Sequence, residues 1–258
     1  MNFVFDHWRR RLVTLLACAF SVSTALHAAE TPDYEQPKLL TGTIYEMSSG
    51  TNKVLFTYKR TGERSNTFVH IVCDYFYPNG SLAARETLVM NRGSLVSFHL
   101  DERQTGAQGS SIVVDGSRPK LMFDWTEGGS TKKKTDSEAL QANTLVGDTI
   151  PYFIVEHWDK LMRGQSVDFR FIVSDRLETV GFKFVKESDV MWNGKSAVRL
   201  RMEPSSIIIR QLVDPLFFIV EKDGAHRVLE YVGRITPKLR DGSKWKDLDA
   251  RTIYVWPK

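Results

Sequence analysis

The stretch that decides the fold is Gln165–Val173, which reads QSVDFRFIV and alternates apolar with polar residues for most of its length. The apolar residues at every second position are Val167, Phe169, Phe171 and Val173. The polar residues between and before them are Ser166, Asp168 and Arg170. Because successive side chains of a strand point to opposite faces, this pattern predicts a β-strand with one buried and one wetter face.

The same period-2 pattern returns later in the chain, at 180–184, at 198–202 and, less regularly, at 216–220. Asn-Gly or Asp-Gly pairs, which suit tight hairpin turns, punctuate the chain. These pairs are Asn79-Gly80, Asp115-Gly116, Asn193-Gly194, Asp223-Gly224 and Asp241-Gly242. The spacing of strands and turns is typical of a meander. We therefore predict a mainly β protein with a large curved antiparallel sheet or an incomplete barrel.

One helix is expected within this sheet protein, near 149–163. Asp148 or Thr149 would cap it, Pro151 suits its first turn and Gly164 follows its end. Apolar residues recur at helical spacing around a wide face, which favours a central helix enclosed by the sheet. We also predict an exposed loop at 128–137, and a further short helix could lie within 138–146.

Residues 1–29 have the layout of a signal peptide, with a basic start at 9–11, an apolar stretch at 12–26 and small residues at Ala28 and Ala29. Cleavage there would leave one β-rich domain, residues 30–258, in the periplasm and without a stable transmembrane span. Acylation of Cys18 as a lipoprotein is the less favoured alternative, because that cysteine lies inside the apolar stretch. Twin-arginine export is a second alternative, given Arg9 and Arg10.

Composition argues against nucleic acid as a partner. The formal net charge of +4 falls to +2 when the predicted signal peptide, with its three arginines and one aspartate, is removed. The lysines at 132–134 have no aromatic residues among them, which favours a solvated loop. Cys73 would then be the only cysteine, so no intramolecular disulfide is expected.

The chain carries none of the usual catalytic or metal-binding motifs, such as G-x-S-x-G, H-E-x-x-H or paired C-x-x-C. We therefore expect no cofactor and no metal site, and we assign no catalytic residue. A hydrolase built around His157 and a distant carboxylate stays open as an alternative. A second alternative is a structural or assembly factor that binds another envelope protein.

Large apolar residues surround the predicted helix and one sheet face, and they could line a groove for a lipid or another hydrophobic ligand. These candidate ligand-binding residues are Phe153, Trp158, Leu161, Phe169, Phe171, Phe182 and Phe184. Ordinary core packing would explain them equally. Arg199 and Arg201 would lie on one strand face, where they could bind an anionic head group or form cross-strand ion pairs.

The layout of a signal peptide, a long β meander, a helix at 148–164 followed by a strand, and a late hairpin at 215–231 resembles a group of exported bacterial proteins. This group is typified by the periplasmic carrier of outer-membrane lipoproteins, in which a strongly curved antiparallel sheet wraps around a helix. The resemblance covers most of residues 38–256 and rests on layout, without a short diagnostic motif. It implies carriage or chaperoning of a hydrophobic ligand, with no enzymatic activity.

Overall fold

The fold is a single large β-sheet with two short helices, seen in a computed structural model that describes residues 33–206 and 214–257. The predicted signal peptide lies outside the described residues. The first eight strands are β1 (Leu39–Glu46), β2 (Val54–Ser65), β3 (Phe68–Phe76), β4 (Leu82–Asn91), β5 (Ser94–Glu102), β6 (Ala107–Val114), β7 (Lys120–Thr126) and β8 (Lys133–Ala139). The middle of the chain holds β9 (Thr144–Leu145), α1 (Ile150–Glu156) and α2 (Trp158–Met162). The last strands are β10 (Val167–Val173), β11 (Glu178–Trp192), β12 (Lys195–Pro204), β13 (Leu216–Glu221), β14 (Val228–Asp241) and β15 (Lys244–Val255).

The strand order shows two meanders joined in the middle of the sheet. The order is β8-β7-β6-β5-β4-β3-β2-β1-β15-β14-β13-β12-β11-β10-β9, so the first strand pairs with the last. Every pairing is antiparallel except that of β9 with β10, which is parallel. The prediction of a mainly β protein with a large antiparallel sheet is confirmed, and the sheet is not closed.

The Asn-Gly and Asp-Gly pairs lie where the sequence predicted turns. Four of the five fall between two consecutive, antiparallel strands, for example Asn79-Gly80 between β3 and β4, and the fifth, Asp241-Gly242, begins at the last residue of β14. The glycines at 80, 194, 224 and 242 have positive φ values, a conformation that side chains with a Cβ disfavour. Turn chemistry therefore sets the connections of the meanders.

The sheet bends strongly, as a contact between Glu86 and Thr236 demonstrates. Glu86 lies in β4 and Thr236 in β14, five places apart in the strand order. At about 4.8 Å per strand, a flat sheet would hold them roughly 24 Å apart. The Thr236 hydroxyl nevertheless donates a hydrogen bond to Glu86. We call the face that carries Glu86 and the buried side chains of β2 to β4 the inner face.

Two hydrophobic clusters fill the inner side of the sheet. The first joins the first meander to β15 and includes Phe56, Ile71, Leu88, Phe123 and Leu248. The second joins the helices to the second meander and includes Phe153, Leu161, Phe184, Leu200 and Val220. Tyr254 of β15 packs against both clusters, so it marks the place where they meet.

The prediction of one continuous helix at 149–163 is wrong. The chain forms α1 and α2, of seven and five residues, with His157 between them in a non-helical conformation. The backbone N–H of His157 still donates to the Phe153 carbonyl, and that of Leu161 to the His157 carbonyl, so the second helix follows closely on the first. Pro151 near the start and Gly164 beyond the end lie as predicted.

The predictions for 128–146 are wrong in part. Residues Lys133–Ala139 form the edge strand β8 instead of belonging to a loop, and 138–146 contains no α-helix. All but one of the β8 side chains are exposed. Because the strand buries neither face, its sequence does not alternate, and charged side chains are a common protection for such an edge.

A buried arginine joins β2 to the segment that leads into the helices. Arg60 is 1% exposed, and its Nε lies 2.9 Å and 3.1 Å from the two carboxylate oxygens of Asp148. Its other nitrogens donate to the Tyr152 hydroxyl, at 3.0 Å, and to the backbone carbonyls of Tyr34 and Pro37. We call this set of contacts the Arg60 clamp. It satisfies a charge that would be costly to bury alone.

Removal of the clamp is expected to be strongly destabilising. Arg60→Ala would leave the Asp148 carboxylate buried without its cation, which costs on the order of 3–5 kcal/mol of unfolding free energy. Denaturant unfolding of the purified protein measures this loss. The matched control is Arg64→Ala on the same strand. Arg64 forms ion pairs with Asp33 and Glu35 at the surface, so its loss should lower the unfolding free energy by less than about 1 kcal/mol. Equal losses for the two variants would contradict a structural role for the clamp.

Candidate functional site

The aromatic residues predicted to bind a ligand come together, and they pack tightly on one another. The ring centroids of Phe153 and Phe169 are 5.3 Å apart, those of Phe169 and Phe184 are 5.2 Å apart, and Phe184 meets Phe218 at 5.3 Å. These spacings are those of favourable ring pairs in a protein core. Phe153, Leu161, Phe169, Phe182 and Phe184 are buried, whereas Trp158 and Phe171 lie at the margin of the same cluster.

The two histidines near this cluster make local contacts. The Trp158 ring stacks on His226 with 3.9 Å between centroids. The Nδ1 of His157 lies 3.1 Å from the Phe153 carbonyl oxygen, and its ring packs on Phe153 at 4.3 Å. In the described part of the chain no carboxylate is hydrogen-bonded to His157. Among the described residues, a hydrolase centred on His157 would therefore lack the carboxylate partner that the sequence hypothesis required.

Arg199 and Arg201 lie on the opposite face of the sheet from the aromatic cluster. Their neighbours in β12, Val198, Leu200 and Met202, are the residues that point into the second cluster. Arg199 pairs with Glu187 at 2.7 Å, and its guanidinium lies 4.1 Å from the centroid of the Phe217 ring. Arg201 lies 3.4 Å from Glu203. The structure therefore does not join these arginines and the predicted apolar groove into one site.

The sequence did not predict the group of tyrosines and one carboxyl that meets on the inner face. The Tyr58 and Tyr75 rings are 5.3 Å apart, and the Tyr254 ring meets Tyr58 edge-on at 5.7 Å. Tyr75 neighbours Glu86, with 3.5 Å between its hydroxyl and a carboxyl oxygen. Tyr58, Tyr75, Glu86, Thr236 and Tyr254 together are called the inner-face site below.

Glu86 is held by neutral groups. The hydroxyls of Thr236 and Tyr75 contact its two carboxyl oxygens. Burial raises the pKa of Glu86 to about 7, an effect that the hydrogen bond from Thr236 opposes and the negative charge of Asp148 reinforces. A carboxyl with such a pKa can either accept or donate a hydrogen bond near neutral pH.

The thiol beside this site is not activated. Cys73 is buried, lies 3.2 Å from the Tyr58 hydroxyl and is the cross-strand neighbour of Glu86. Burial raises the pKa of the Cys73 thiol well above its usual value, and the carboxylates of Asp148 and Glu86 add to the shift. Since the thiolate is the reactive form, this cysteine is suited to packing and hydrogen bonding.

The sequence does contain one signal for this site. Glu86 lies on β4 between Ala84 and Leu88, at a position that the period of the strand assigns to the buried face. A carboxyl at an apolar position of a strand is unusual and points to a special environment. Its contact with Thr236, 150 residues further along the chain, follows only from the bend of the sheet.

Comparison with known proteins found no match for this chain among family descriptions, curated proteins or solved structures. Within residues 33–206 and 214–257, no group of histidine, cysteine, aspartate and glutamate side chains is placed to hold a metal ion. Across the same ranges, no helix has both the length and the apolar character needed to cross a membrane. The inner-face site must therefore be interpreted from its own geometry.

The raised pKa of Glu86 makes stability depend on pH. Its pKa in the folded protein, about 7, exceeds the ordinary value of 4.5, so folding favours the protonated form. This stabilisation is fully present below pH 4.5 and is lost as the pH rises through 7. The unfolding free energy should fall by on the order of 3 kcal/mol over this range. Urea unfolding from pH 4.5 to 8 should show this fall in the natural protein and a smaller fall in Glu86→Gln.

The matched control for this titration is Glu127→Gln. Glu127 lies at the surface, where a hydrogen bond from Lys134 lowers its pKa. This substitution should leave the fall in stability between pH 4.5 and 8 in place. An identical pH profile for the natural protein and Glu86→Gln would show that Glu86 has an ordinary pKa.

Proposed function

We propose that this chain is an exported, non-enzymatic binding protein that holds an apolar or amphipathic ligand against the inner face of its bent sheet. The observation that carries the proposal is the partial exposure of inner-face side chains. Tyr75, Glu86, Tyr231 and Tyr254 belong to the face that carries the core, yet each keeps part of its surface accessible. Accessible rings beside convergent polar groups are the usual lining of a ligand site.

The position of these residues suits a ligand with an apolar chain. Tyr254 packs against both hydrophobic clusters, and Tyr231 joins the second cluster through Phe218, with 4.8 Å between their ring centroids. A chain lying between the clusters would therefore meet aromatic surface along its length. In this proposal the Phe153 and Phe169 cluster forms one wall of an incomplete barrel, and tyrosines form the accessible part.

Export and the periplasm remain part of the proposal, on the basis of the signal-peptide pattern in residues 1–29. The layout that resembles the periplasmic lipoprotein carrier supports the same class of function, carriage of a hydrophobic ligand. The bend that brings Glu86 to Thr236 is what such a carrier requires, because a flat sheet offers no enclosed surface. Arg199 and Arg201 have no part in this site, since they face the other way.

A second candidate, binding of another envelope protein, has one observation in its favour. Ile112, Val114 and Met122 lie on the outer faces of β6 and β7 and are 39%, 49% and 41% exposed. Ile112 and Met122 are cross-strand neighbours, so they form a continuous apolar strip. Capture of one defined envelope protein, lost on Ile112→Ser with Met122→Ser, would favour this candidate.

Native mass spectrometry followed by organic extraction tests the proposed function. The protein, expressed from its full-length sequence so that processing takes place, should carry about one equivalent of an extractable apolar or amphipathic molecule. Gly42→Leu should remove most of it, because a Cβ at Gly42 would come within 3.3 Å of the Tyr254 ring and crowd the inner face. Thr43→Leu, which places a leucine on the opposite face of β1, should keep it.

The circular dichroism spectrum of each variant shows whether it still folds. A clean ligand-free mass for the natural protein, together with no uptake of added dodecanol, would overturn the proposed function. It would leave the partner-binding candidate as the better account of the fold.

A further inference from the structure

Glu86, which is partly buried, differs in its partners from three other carboxylates that are held largely out of water. Asp148 has Arg60, Glu102 has Lys238 at 3.3 Å, and Glu230 has Arg251 at 2.8 Å. Glu86 has hydroxyl partners, and no lysine, arginine or histidine within residues 33–206 and 214–257 forms an ion pair with it. A buried carboxylate without a cation is costly to keep charged, and a cation brought by a ligand would remove that cost.

The rings beside Glu86 suit the same kind of ligand. The faces of tyrosine rings carry partial negative charge and attract ammonium and quaternary ammonium groups within about 6 Å. Tyr75 contacts Glu86, Tyr58 stands 5.3 Å from Tyr75, and Tyr254 stands 5.7 Å from Tyr58. Tyr75 and Tyr254 keep part of their surface accessible on the same face as Glu86, whereas Tyr58 is only 8% exposed and belongs to the core.

We propose that the inner-face site takes a cationic head group, an ammonium or quaternary ammonium, of the amphipathic ligand, with Glu86 as its counter-ion and tyrosine rings as its walls. This inference rests on the proposed function and specifies the class of ligand. The apolar part of the ligand would extend along the surface between the two hydrophobic clusters. Dodecyltrimethylammonium is a suitable probe of this chemistry.

The groups that face Glu86 from neighbouring elements do not supply a competing cation. They are Cys73 and Tyr75 on β3, Thr236 on β14, Tyr254 on β15 and Asp148 before α1. The first four are neutral at pH 7, because burial raises the pKa values of the thiol and of both phenols. Asp148 is already paired with Arg60. The site therefore lacks one positive charge when Glu86 is ionised.

Calorimetric titration with three probes that share a chain and differ in head group tests the inference. The probes are dodecyltrimethylammonium, dodecanol and dodecanoate, each below its micelle concentration, added to protein freed of co-purified molecules. At pH 8 the cation should bind about tenfold more tightly than dodecanol, and dodecanoate more weakly than both. At pH 5, where Glu86 is protonated, the preference for the cation should fall to less than about threefold.

Substitutions separate the charge of Glu86 from its packing. Glu86→Gln should lose the preference for the cation and keep the affinity for dodecanol, whereas Glu86→Asp should keep part of the preference. If Glu86→Gln fails to fold, the fall in the preference between pH 8 and pH 5 in the natural protein supplies the same test of the Glu86 charge. The control Glu127→Gln removes a surface carboxyl and should change nothing.

Each outcome bears on one of the two proposals. Equal binding of the three probes at pH 8, or an unchanged preference for the cation in Glu86→Gln, would overturn the cationic head group and leave the proposed function in place. Absence of binding for all three probes would overturn the proposed function itself. Tighter binding of dodecanoate than of dodecyltrimethylammonium would likewise overturn the cationic head group and leave the proposed function in place.

Discussion

The contact between Arg60 and Asp148 is the interaction on which the rest of this structure depends. Arg60 lies in β2, the second strand of the first meander, and Asp148 precedes the helices that lead to the second. A guanidinium needs acceptors for all its N–H groups when it is buried, and these come from Asp148, Tyr152 and backbone carbonyls at 34–37. Because the partners come from two segments of the chain, 34–37 and 148–152, the charge can be satisfied only when both are in place beside β2.

The backbone around the clamp is adapted to it. A Cβ at Gly62, two residues after Arg60 on the same face, would come within 3.0 Å of both the guanidinium and the Glu35 carbonyl. Any larger residue at 62 would therefore have to push the guanidinium or the Glu35 carbonyl aside by a few tenths of an ångström. The ion pair with Arg60 balances the charge of Asp148. The nearby carboxyl of Glu86 has no such cation to balance its charge. The clamp thus fixes the architecture and also defines the electrostatics of the inner-face site.

Sequence patterns could predict the strands because those strands bury one face. Residues 167–171 and 198–202 alternate apolar with polar side chains, and the turn residues Asn193-Gly194 precede the second of these strands. The edge strand β8 buries neither face and shows no such pattern, so the sequence predicts a loop at 133–137 instead of a strand. The break between α1 and α2 at His157 has no glycine or proline that would indicate it in the sequence. Local pattern can report burial of one face, but it cannot report an edge or a break imposed by tertiary contacts.

The inner-face site could not be assembled from the sequence for a related reason. Glu86 and Thr236 are separated by 150 residues and by five strand positions, and only the bend of the sheet joins them. The aromatic residues of the second meander attract attention in the sequence because they are numerous and regularly spaced. Their number reflects the needs of a core around two short helices, where ring pairs at about 5 to 6 Å are ordinary packing.

Burial decides which of the two regions can gain from a ligand. A ligand that entered the Phe153 and Phe184 cluster would have to displace rings already out of water, at a cost of about 2 kcal/mol for each side chain exposed. Tyr75 and Tyr254 are only partly buried, and the same ligand would cover the part of their surface that remains accessible. A ligand gains binding free energy by covering apolar surface that is still accessible to water. The tyrosine-lined site is therefore a better place for a ligand than the phenylalanine core.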